Sequence, residues 1–430
     1  MEKALILKIL DSWNFWSHDL DTGISRNNYV NTILRFIDES QIPIVIETGI
    51  RRAGKSFIAK QTARALIDKN LHKTQVLIIN LEDERLIDRN YETLLEMYEA
   101  YKTNINPSEK TIIILDEAQE IDGWERFVRG LTEREEAKFL ITGSSSKLLD
   151  SEYSTLLSGR QVVVYVHPLD LLEYREFTKR EGSLSHILKE GGFPAVALSK
   201  SKNDIVYSYF NTIILKDVIQ RYRVRKQDDL IHIAKFYVTS VGSRITFNRV
   251  AKFLALPVKT AYNLSKYLEN AYLVFFVERF SFSSKSQNNS PKKVYSIDNS
   301  FPSLIGLNHV EVLGRLLENL IASTLYKISR QTTDFRFFYW HENGKEVDFV
   351  VKRKTKYEAF QVAYSVKDDK TKTREISALL DCAAYLNLDS CQIITMEYAN
   401  EEVVGGITIT YVPASEWIAD MLNNYVAGSA

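Results

Sequence analysis

The run from Gly49 to Ser56 has the clearest chemical signature in the sequence, because it reads G-I-R-R-A-G-K-S. It fits the pattern G-x-x-x-x-G-K-[ST] of a phosphate-binding loop. Glycines at both ends let the backbone turn tightly and approach a phosphate, because glycine has no Cβ. Successive backbone N–H groups can then point at the phosphates of a nucleotide. The run therefore predicts a binding site for ATP.

Two side chains in this run can act on the triphosphate directly. We expect Lys55 to neutralise phosphate oxygens and Ser56 to offer its hydroxyl to Mg²⁺. The predicted nucleotide contacts are Gly49, Ile50, Arg51, Arg52, Ala53, Gly54, Lys55, Ser56 and Phe57. The alternative is a glycine–lysine turn that binds no ligand. A strand pattern over 42–48 and a helical pattern over 56–68 favour the phosphate-binding loop.

A pair of acids ends the next strongly apolar run. Residues 111–119 read T-I-I-I-L-D-E-A-Q, so four apolar residues lead into Asp116 and Glu117. A carboxylate at the carboxyl end of a buried parallel strand can help to hold Mg²⁺, and we assign this role to Asp116. Glu117 can accept a proton from the attacking water. The alternative is a strand that ends in a solvated acidic turn.

Three further polar residues are candidates for the same site. Thr142 and Ser144 follow another apolar run, where either could orient the attacking water or sense the γ-phosphate. Residues 144–146 could equally serve as a helix N-cap. Arg160 could reach a γ-phosphate in its own or a neighbouring subunit, as arginine fingers do, or it could be a surface arginine. A role of Arg160 in a neighbouring subunit would require a homo-oligomer, and the sequence leaves the oligomeric state open.

Helical and strand patterns alternate around these residues. Five apolar runs with helical patterns between them predict a doubly wound parallel sheet, and they lie at 42–48, 75–81, 111–115, 138–142 and 161–166. An amphipathic helical stretch within residues 1–40 leads to the first strand. Arg26 lies in that stretch and could approach the nucleotide, although an exposed arginine is the preferred interpretation.

These motifs resemble a family of archaeal and bacterial AAA-type P-loop ATPases of the additional-strand class. The resemblance rests on G-I-R-R-A-G-K-S, on I-L-D-E-A-Q with Trp124 after it, on T-G-S-S, and on S-G-R at 158–160. It implies that the strand ending at Thr142 lies between the loop strand and the acidic strand. It also implies that Thr142 lies beside the γ-phosphate.

Composition places few limits on partners. The 430 residues suggest two or three domains, predicted at 1–170, 171–300 and 301–430. Basic and acidic side chains balance at 55 each, so a nucleic-acid surface would have to be a local patch. Cys382 and Cys391 lack metal-site spacing, and no apolar run is long enough to span a membrane. We expect a cytoplasmic protein without a membrane partner.

The order of elements over 243–297 is typical of a winged helix: helix, turn, helix and hairpin. A duplex-DNA face would use polar residues of the second helix and lysines of the wing tip, namely Lys259, Tyr262, Asn263, Lys266, Lys285, Lys292 and Lys293. The alternative is a protein-contact or purely structural module.

The last third of the chain resembles the restriction-endonuclease-like fold, a form that the ATPase family also carries. An active member needs two acids and a lysine around a metal ion. Glu318 and Asp348 are present, but Gln361 and Ala363 stand where the second strand would supply glutamate and lysine. Lys367 lies beyond the required position. We therefore predict an impaired or structural domain, while the two retained acids keep a nuclease alternative open.

The sequence thus predicts an α/β P-loop ATPase domain, a helical region with a winged helix and an α/β restriction-endonuclease-like domain. The leading hypothesis is Mg²⁺-dependent hydrolysis of ATP coupled to the C-terminal domains, with DNA as an open partner. One alternative is a DNA nuclease switched by ATP. The other is a nucleotide-gated regulatory or binding protein that does not hydrolyse ATP.

Overall fold

The computed structural model describes residues 2–107, 109–144, 159–306, 312–366 and 369–426. The chain forms two compact units, residues 1–166 and residues 167–430. The predicted segments 171–300 and 301–430 both belong to the second unit. Within the described stretches, no helix is both long enough and apolar enough to cross a membrane.

A five-stranded parallel sheet forms the centre of the first unit. Its strands are β1 (Ile44–Thr48), β2 (Val76–Asn80), β3 (Thr111–Asp116), β4 (Ala137–Gly143) and β5 (Gln161–Tyr165). They lie in the order β2-β3-β4-β1-β5. Every residue of β1 is buried, as expected for a parallel sheet covered by helices on both faces. The predicted parallel α/β sheet is confirmed, and β4 lies between β1 and β3 as the resemblance implied.

Among the described residues, five α-helices cover this sheet: α1 (Lys3–Ser12), α2 (Asn27–Asp38), α3 (Lys55–Asp68), α4 (Tyr91–Asn104) and α5 (Trp124–Glu133). Side chains of α1, α4 and α5 share one apolar core with Ile44, Ile113 and Phe139 of the sheet. Helices α2 and α3 pack on each other, and they contact β1 and β4 respectively. Because α3 begins directly after the loop that follows β1, the loop lies at the carboxyl edge of the sheet.

The second unit begins with helices. They are α6 (Leu171–Thr178), α7 (Ser183–Glu190), α8 (Pro194–Leu198), α9 (Lys202–Thr212), a π-helix (Ile213–Gln220) and α10 (Gln227–Thr239). Residues 191–194 read G-G-F-P and form the turn from α7 into α8. A Cβ on Gly191 would lie 2.0 Å from Asp298 Oδ1, and one on Gly192 would lie 2.2 Å from Leu169 O. The two glycines therefore allow a close approach that no larger residue would permit.

A small three-stranded sheet follows in this unit. Strand β6 (Arg244–Ile245) precedes helices α11 (Phe247–Phe253) and α12 (Val258–Asn270), and strands β7 (Val274–Val277) and β8 (Lys292–Ser296) come after them. Helix α13 (Ser284–Asn289) lies between β7 and β8, and the sheet order is β6-β8-β7. The two helices and the two strands after them follow the predicted order, whereas β6 and α13 were not predicted.

A six-stranded mixed sheet completes the second unit. Its strands are β9 (Phe335–Glu342), β10 (Lys345–Arg353), β11 (Lys356–Ala363), β12 (Ser390–Thr395), β13 (Asn400–Val404) and β14 (Ile407–Pro413), in the order β13-β14-β12-β11-β10-β9. Helices α14 (Val312–Gln331), α15 (Asp369–Leu386) and α16 (Ala414–Val426) accompany it. Helix α14 and strands β9, β10 and β11 follow one another in the chain, with Asp348 on β10, as the nuclease-like resemblance requires. Strand β13 was not predicted, because its sequence is exposed and charged.

Candidate nucleotide site

The loop between β1 and α3 needs glycine at both ends. Gly49 has φ of 150°, and a Cβ there would lie 2.0 Å from Val166 O. Gly54 has φ of 104° and stands immediately before the first residue of α3. A side chain would be strained at either position, so the glycines of the motif follow from the backbone path. The loop also places the N-terminus of α3, with its positive partial charge, at the carboxyl edge of the sheet.

Lys55 lies across this loop. It is 3% exposed, and its Nζ donates to Gly49 O (3.0 Å) and Ile50 O (3.1 Å). Both acceptors are neutral carbonyls, whereas a phosphate oxygen would offer the ammonium a full negative charge. Phosphate oxygens inside the loop would therefore compete well for these donors.

Ser56, Asp116 and Thr142 meet at one oxygen atom. Ser56 Oγ donates to Asp116 Oδ1 over 3.0 Å, and Thr142 Oγ1 donates to the same oxygen over 2.6 Å. The three residues come from α3, β3 and β4, which adjoin at the carboxyl edge of the sheet. Burial, together with the neighbouring Glu117, raises the pKa of Asp116 to about 6. The predicted pair Ser56 and Asp116 thus lies within hydrogen-bond distance.

These oxygen ligands fit Mg²⁺. Magnesium is usually held by one or two protein oxygens together with substrate phosphates and waters. Ser56 and Asp116 supply a hydroxyl and a carboxylate next to a phosphate-sized loop. Among the described residues, no group of three or more His, Cys, Asp or Glu side chains is arranged to hold a metal ion alone. The site therefore suits a metal that arrives with the nucleotide.

Glu117 follows Asp116 in a left-handed backbone conformation, with φ of 58°. Its N–H donates to Thr142 Oγ1 (3.0 Å), and its carboxylate accepts from the Gln119 amide. Left-handed backbone is uncommon for a residue other than glycine. Here it turns the chain at the end of β3, while Thr142 holds the turn against Asp116. Thr142 therefore connects the two acids of the motif.

The other loop residues divide between buried and exposed positions. Ile50 and Ala53 are buried, and Arg52 and Phe57 are exposed. Arg51 is buried, and its guanidinium lies 3.0 Å from Glu82 Oε1 and 3.4 Å from Ser144 Oγ. Ser144 therefore lies beside the loop, next to an arginine of the motif. Ser145 and Ser146, which the N-cap alternative needs, and Ser158 of the S-G-R motif lie outside the described residues.

Arg26 does not have the exposed position that was preferred for it. It is 4% exposed, and its Nη1 donates to Ala53 O over 2.8 Å. Its guanidinium lies 4.6 Å from the centre of the Tyr29 ring. The exposed interpretation is wrong because α2 packs beside α3, which brings the start of α2 under the loop. Arg26 supports the loop from the protein side.

Arg160 lies at the other edge of the sheet. It is exposed and directly precedes β5, in which Gln161 pairs with Ile44 and Tyr165 pairs with Thr48. The loop starts at the Thr48 end, so the length of a five-residue strand, about 15 Å, separates Arg160 from it. That separation exceeds the reach of an arginine side chain, which leaves only the neighbouring-subunit alternative for a role at a γ-phosphate.

Glu47 is a site residue that the sequence reasoning missed. It lies on β1, it is fully buried, and neither carboxylate oxygen has a hydrogen-bond partner among the described residues. Burial raises its pKa well above the usual value, against the opposing effect of the nearby Lys55. The available signal was an acid inside an otherwise apolar strand that leads into the loop.

The acids predicted in the C-terminal part also lie close together, and they surround Lys293, which was predicted to belong to the wing tip. Lys293 Nζ lies 2.9 Å from Glu318 Oε1 and 2.8 Å from Asp348 Oδ1. Gln361 Oε1 accepts from Asp348 N (3.1 Å), so the predicted trio Glu318, Asp348 and Gln361 is assembled. Lys293 was expected at a wing tip, but it is 1% exposed. Lys367 lies outside the described residues.

Sequence comparisons agree with this architecture. Residues 41–175 match the family described as AAA domain, residues 181–309 match a domain of unknown function (DUF8612), and residues 313–417 match another (DUF4143). The uncharacterized protein MJ1544 of Methanocaldococcus jannaschii is 30% identical over 401 residues, covering 88% of this chain and 87% of that protein. The chain belongs to the family of that protein.

More distant similarities cover between 60% and 90% of this chain. An uncharacterized protein of Haemophilus influenzae is 26% identical over 408 residues, covering 90% of this chain and 97% of its own. The solved structure of the Aeropyrum pernix ORC1 protein in complex with DNA has a TM-score of 0.33 at 12% identity, covering 72% of this chain and 96% of that one. AMPPCP-bound DnaA from Aquifex aeolicus has a TM-score of 0.29 at 14% identity, covering 60% and 91%. At such low TM-scores, neither structure bears on function.

Proposed function

We propose that the chain binds ATP with Mg²⁺ and hydrolyses it. The observation that carries the proposal is the meeting of Ser56, Thr142 and Asp116 at one carboxylate oxygen beside the glycine-bounded loop. A loop that merely turned the chain would not need a hydroxyl and an acid from separate elements at its mouth. The match of residues 41–175 to the AAA domain supports the same conclusion.

Each residue has a distinct task in this proposal. Lys55 exchanges its two carbonyl partners for phosphate oxygens, and the N–H groups of the loop bind the remaining charge. Ser56 and Asp116 would hold Mg²⁺, which neutralises developing charge on the phosphates. Glu117 accepts the proton of the attacking water. Thr142 acts through its neighbours, because its hydroxyl positions Asp116 and the Glu117 backbone.

Arg160 would act on a neighbouring subunit. Its place at the far edge of the sheet favours contact with a nucleotide held by another copy of the chain. This part of the proposal requires a homo-oligomer that forms with bound ATP. Sedimentation with and without a non-hydrolysable ATP analogue would test it, since a nucleotide-independent monomer would remove the role of Arg160.

The decisive test is phosphate release with Mg²⁺ and ATP. We expect Lys55→Ala to abolish turnover and Glu117→Gln to retain ATP while losing hydrolysis. Lys69→Ala provides a matched control, because Lys69 is an exposed lysine just past the end of the same helix. Wild-type turnover in Lys55→Ala would refute the site. Tight ATP binding without turnover in the unmodified chain would favour the nucleotide-gated alternative.

We further propose that nucleotide state is coupled to residues 167–430, with duplex DNA as the candidate partner of α12. Lys259 and Tyr262 on this helix are exposed, which suits contact with phosphates and sugars. Two lysines predicted for the DNA face do not offer a free charge to DNA, because Lys292 pairs with Glu278 (2.8 Å) and Lys293 is buried. Phosphate release measured with and without duplex DNA tests the coupling, since an unchanged rate would leave DNA without a role.

A further inference from the structure

A fully buried lysine lies at the centre of three acids in the second unit. Lys293 Nζ lies 2.8 Å from Asp348 Oδ1, 2.9 Å from Glu318 Oε1 and 2.8 Å from Glu346 Oε1. We name Glu318, Glu346 and Asp348 the acidic cluster. The three acids come from α14 and β10, whereas the lysine comes from β8 of the small sheet. An ammonium group has three N–H donors, so each of them has one carboxylate of the cluster to bind.

Each acid of the acidic cluster has a further contact besides Lys293. Glu318 Oε1 accepts from Tyr295 Oη (2.6 Å), and Asp348 Oδ2 accepts from Val362 N (3.0 Å). Glu346 Oε2 lies 3.0 Å from Arg244 Nε. Every carboxylate is thus held in place by a second contact, and the lysine sits in a prepared position.

An ammonium so placed has the position and the sign of charge that a bound divalent metal would have. Isolated buried charges are strongly unfavourable, so a lysine at this depth must be matched by acids. With its three donors committed, Lys293 has none left to stabilise a phosphate. The three acids also surround the ammonium, which occupies the space between their carboxylates.

We propose that the ammonium of Lys293 is the resident cation of the acidic cluster, excludes divalent metal from it, and keeps this domain from cleaving phosphodiesters. The lysine thereby also fastens β8 of the small sheet to β10 of the six-stranded sheet. This function is separate from ATP hydrolysis and uses none of the residues of the nucleotide site. Gln361 acts in the same direction, because beside Asp348 it supplies an amide and no carboxylate for a metal.

Counting bound Mn²⁺ tests the proposal. The measurement uses the full chain carrying Asp116→Asn, which removes the proposed metal ligand of the nucleotide site, and follows free Mn²⁺ by electron paramagnetic resonance. With Lys293 present, we expect no Mn²⁺ that depends on Asp348. Adding Lys293→Met should create about one Mn²⁺ site per chain, and further adding Asp348→Asn should remove it. Mn²⁺ bound with Lys293 intact, and lost in Asp348→Asn, would overturn the proposal.

A charge-matched variant protects the test against misfolding. Lys293→Met alone adds one uncompensated negative charge, whereas Lys293→Met with Glu318→Gln keeps the net charge of the group unchanged. Circular dichroism establishes which variant is folded, and we expect the folded variant to bind Mn²⁺ through Glu346 and Asp348. Absence of Mn²⁺ from a folded variant would refute the idea that Lys293 holds a metal position.

Cleavage provides a second readout on the unmodified chain. We expect supercoiled plasmid to remain intact with Mg²⁺ or Mn²⁺, with or without ATP. Nicking that disappears in Asp348→Asn would show an active nuclease centre and contradict the proposal directly, whatever the variants of Lys293 do.

Discussion

Asp116 in the nucleotide site and Asp348 in the acidic cluster are both buried carboxylates on central strands, yet they have opposite kinds of partner. Asp116 accepts hydrogen bonds from two neutral hydroxyls, Ser56 and Thr142. Asp348 accepts from the ammonium of Lys293 and from a backbone N–H. Neutral donors orient a carboxylate without cancelling its charge, so Asp116 remains able to bind a cation from solution. Asp348 has its cation within the fold.

The same chemical group thus binds an exchangeable cation from solution in one place and a fixed lysine of the fold in the other. In the first unit, the two hydroxyls that contact Asp116 come from α3 and β4 at the carboxyl edge of the sheet. In the second, the charged partner of Asp348 comes from the separate small sheet, and this lysine has almost no contact with water. We therefore expect substitutions at Asp116 to change activity, and substitutions around Lys293 to change stability.

The largest expected effect is at Lys293. Lys293→Met removes one partner of a buried ionic group, for which losses of about 3–5 kcal/mol are typical. Lys292→Met is a matched control, because this neighbour on β8 pairs with Glu278 at the surface, where such pairs contribute about 0–1 kcal/mol. Urea unfolding of both variants measures the difference. Similar losses in the two variants would show that burial of the ammonium has no special role.

The second-largest effect is expected at Asp116 in the nucleotide site. Asp116→Asn should lower Mg²⁺-dependent ATP hydrolysis by about 10²–10³-fold, the range seen when a preorganised charge-stabilising group is lost. Asp348→Asn should leave the hydrolysis rate within about twofold, since the acidic cluster contains no residue of the nucleotide site. Phosphate release at saturating ATP provides the measurement. A comparable fall in both variants would mean that the two acids do not have separate roles.

Local sequence indicated the motif residues of the nucleotide site, but it did not indicate the lysine of the acidic cluster. Lys55 and Ser56 are adjacent, and their place beside Asp116 follows from parallel strands that end at one edge. By contrast, Lys292 and Lys293 are identical in type, and only the alternation of β8 sends the second one inward. Its three acidic partners lie between 25 and 55 residues later in the chain, so no local pattern could indicate them.

Other outcomes have the same physical basis. The place of β4 between β1 and β3 came from family resemblance, because apolar strands of similar composition can exchange positions in a parallel sheet. Arg26 was misjudged because its partner is a backbone carbonyl of Ala53, and carbonyl partners leave no signature in side-chain patterns. For Glu47 the signal was the acid itself within an apolar strand, but a single acid gives no indication of which groups lie near it.

A smaller effect is expected at Thr142, and it tests whether neutral donors suffice to hold Asp116. Thr142→Val keeps the shape but removes the hydroxyl that contacts Asp116 and Glu117 N. A hydrogen bond to a charged group contributes about 1.5–3 kcal/mol, so we expect at least a tenfold slower hydrolysis. Thr142→Ser should restore most of the rate, and the Mg²⁺ concentration for half-maximal activity should rise only in the valine variant. Equal rates in the valine and serine variants would contradict a role for the hydroxyl.

The smallest effect concerns Glu47, a third buried acid that has neither hydroxyl nor ammonium as a hydrogen-bond partner. Its pKa in the folded protein lies well above the ordinary value of 4.5, so folding favours the protonated form. Its contribution to stability is complete below pH 4.5 and declines as pH rises through the raised pKa. Glu47→Gln removes this decline because glutamine does not ionise. The variant should therefore gain stability relative to wild type between pH 5 and pH 8, by about 1.4 kcal/mol for each pH unit over which Glu47 stays protonated only in the folded protein. Thermal unfolding at the two pH values measures the change, and an identical difference at both would show that Glu47 has found a counter-charge in the folded protein.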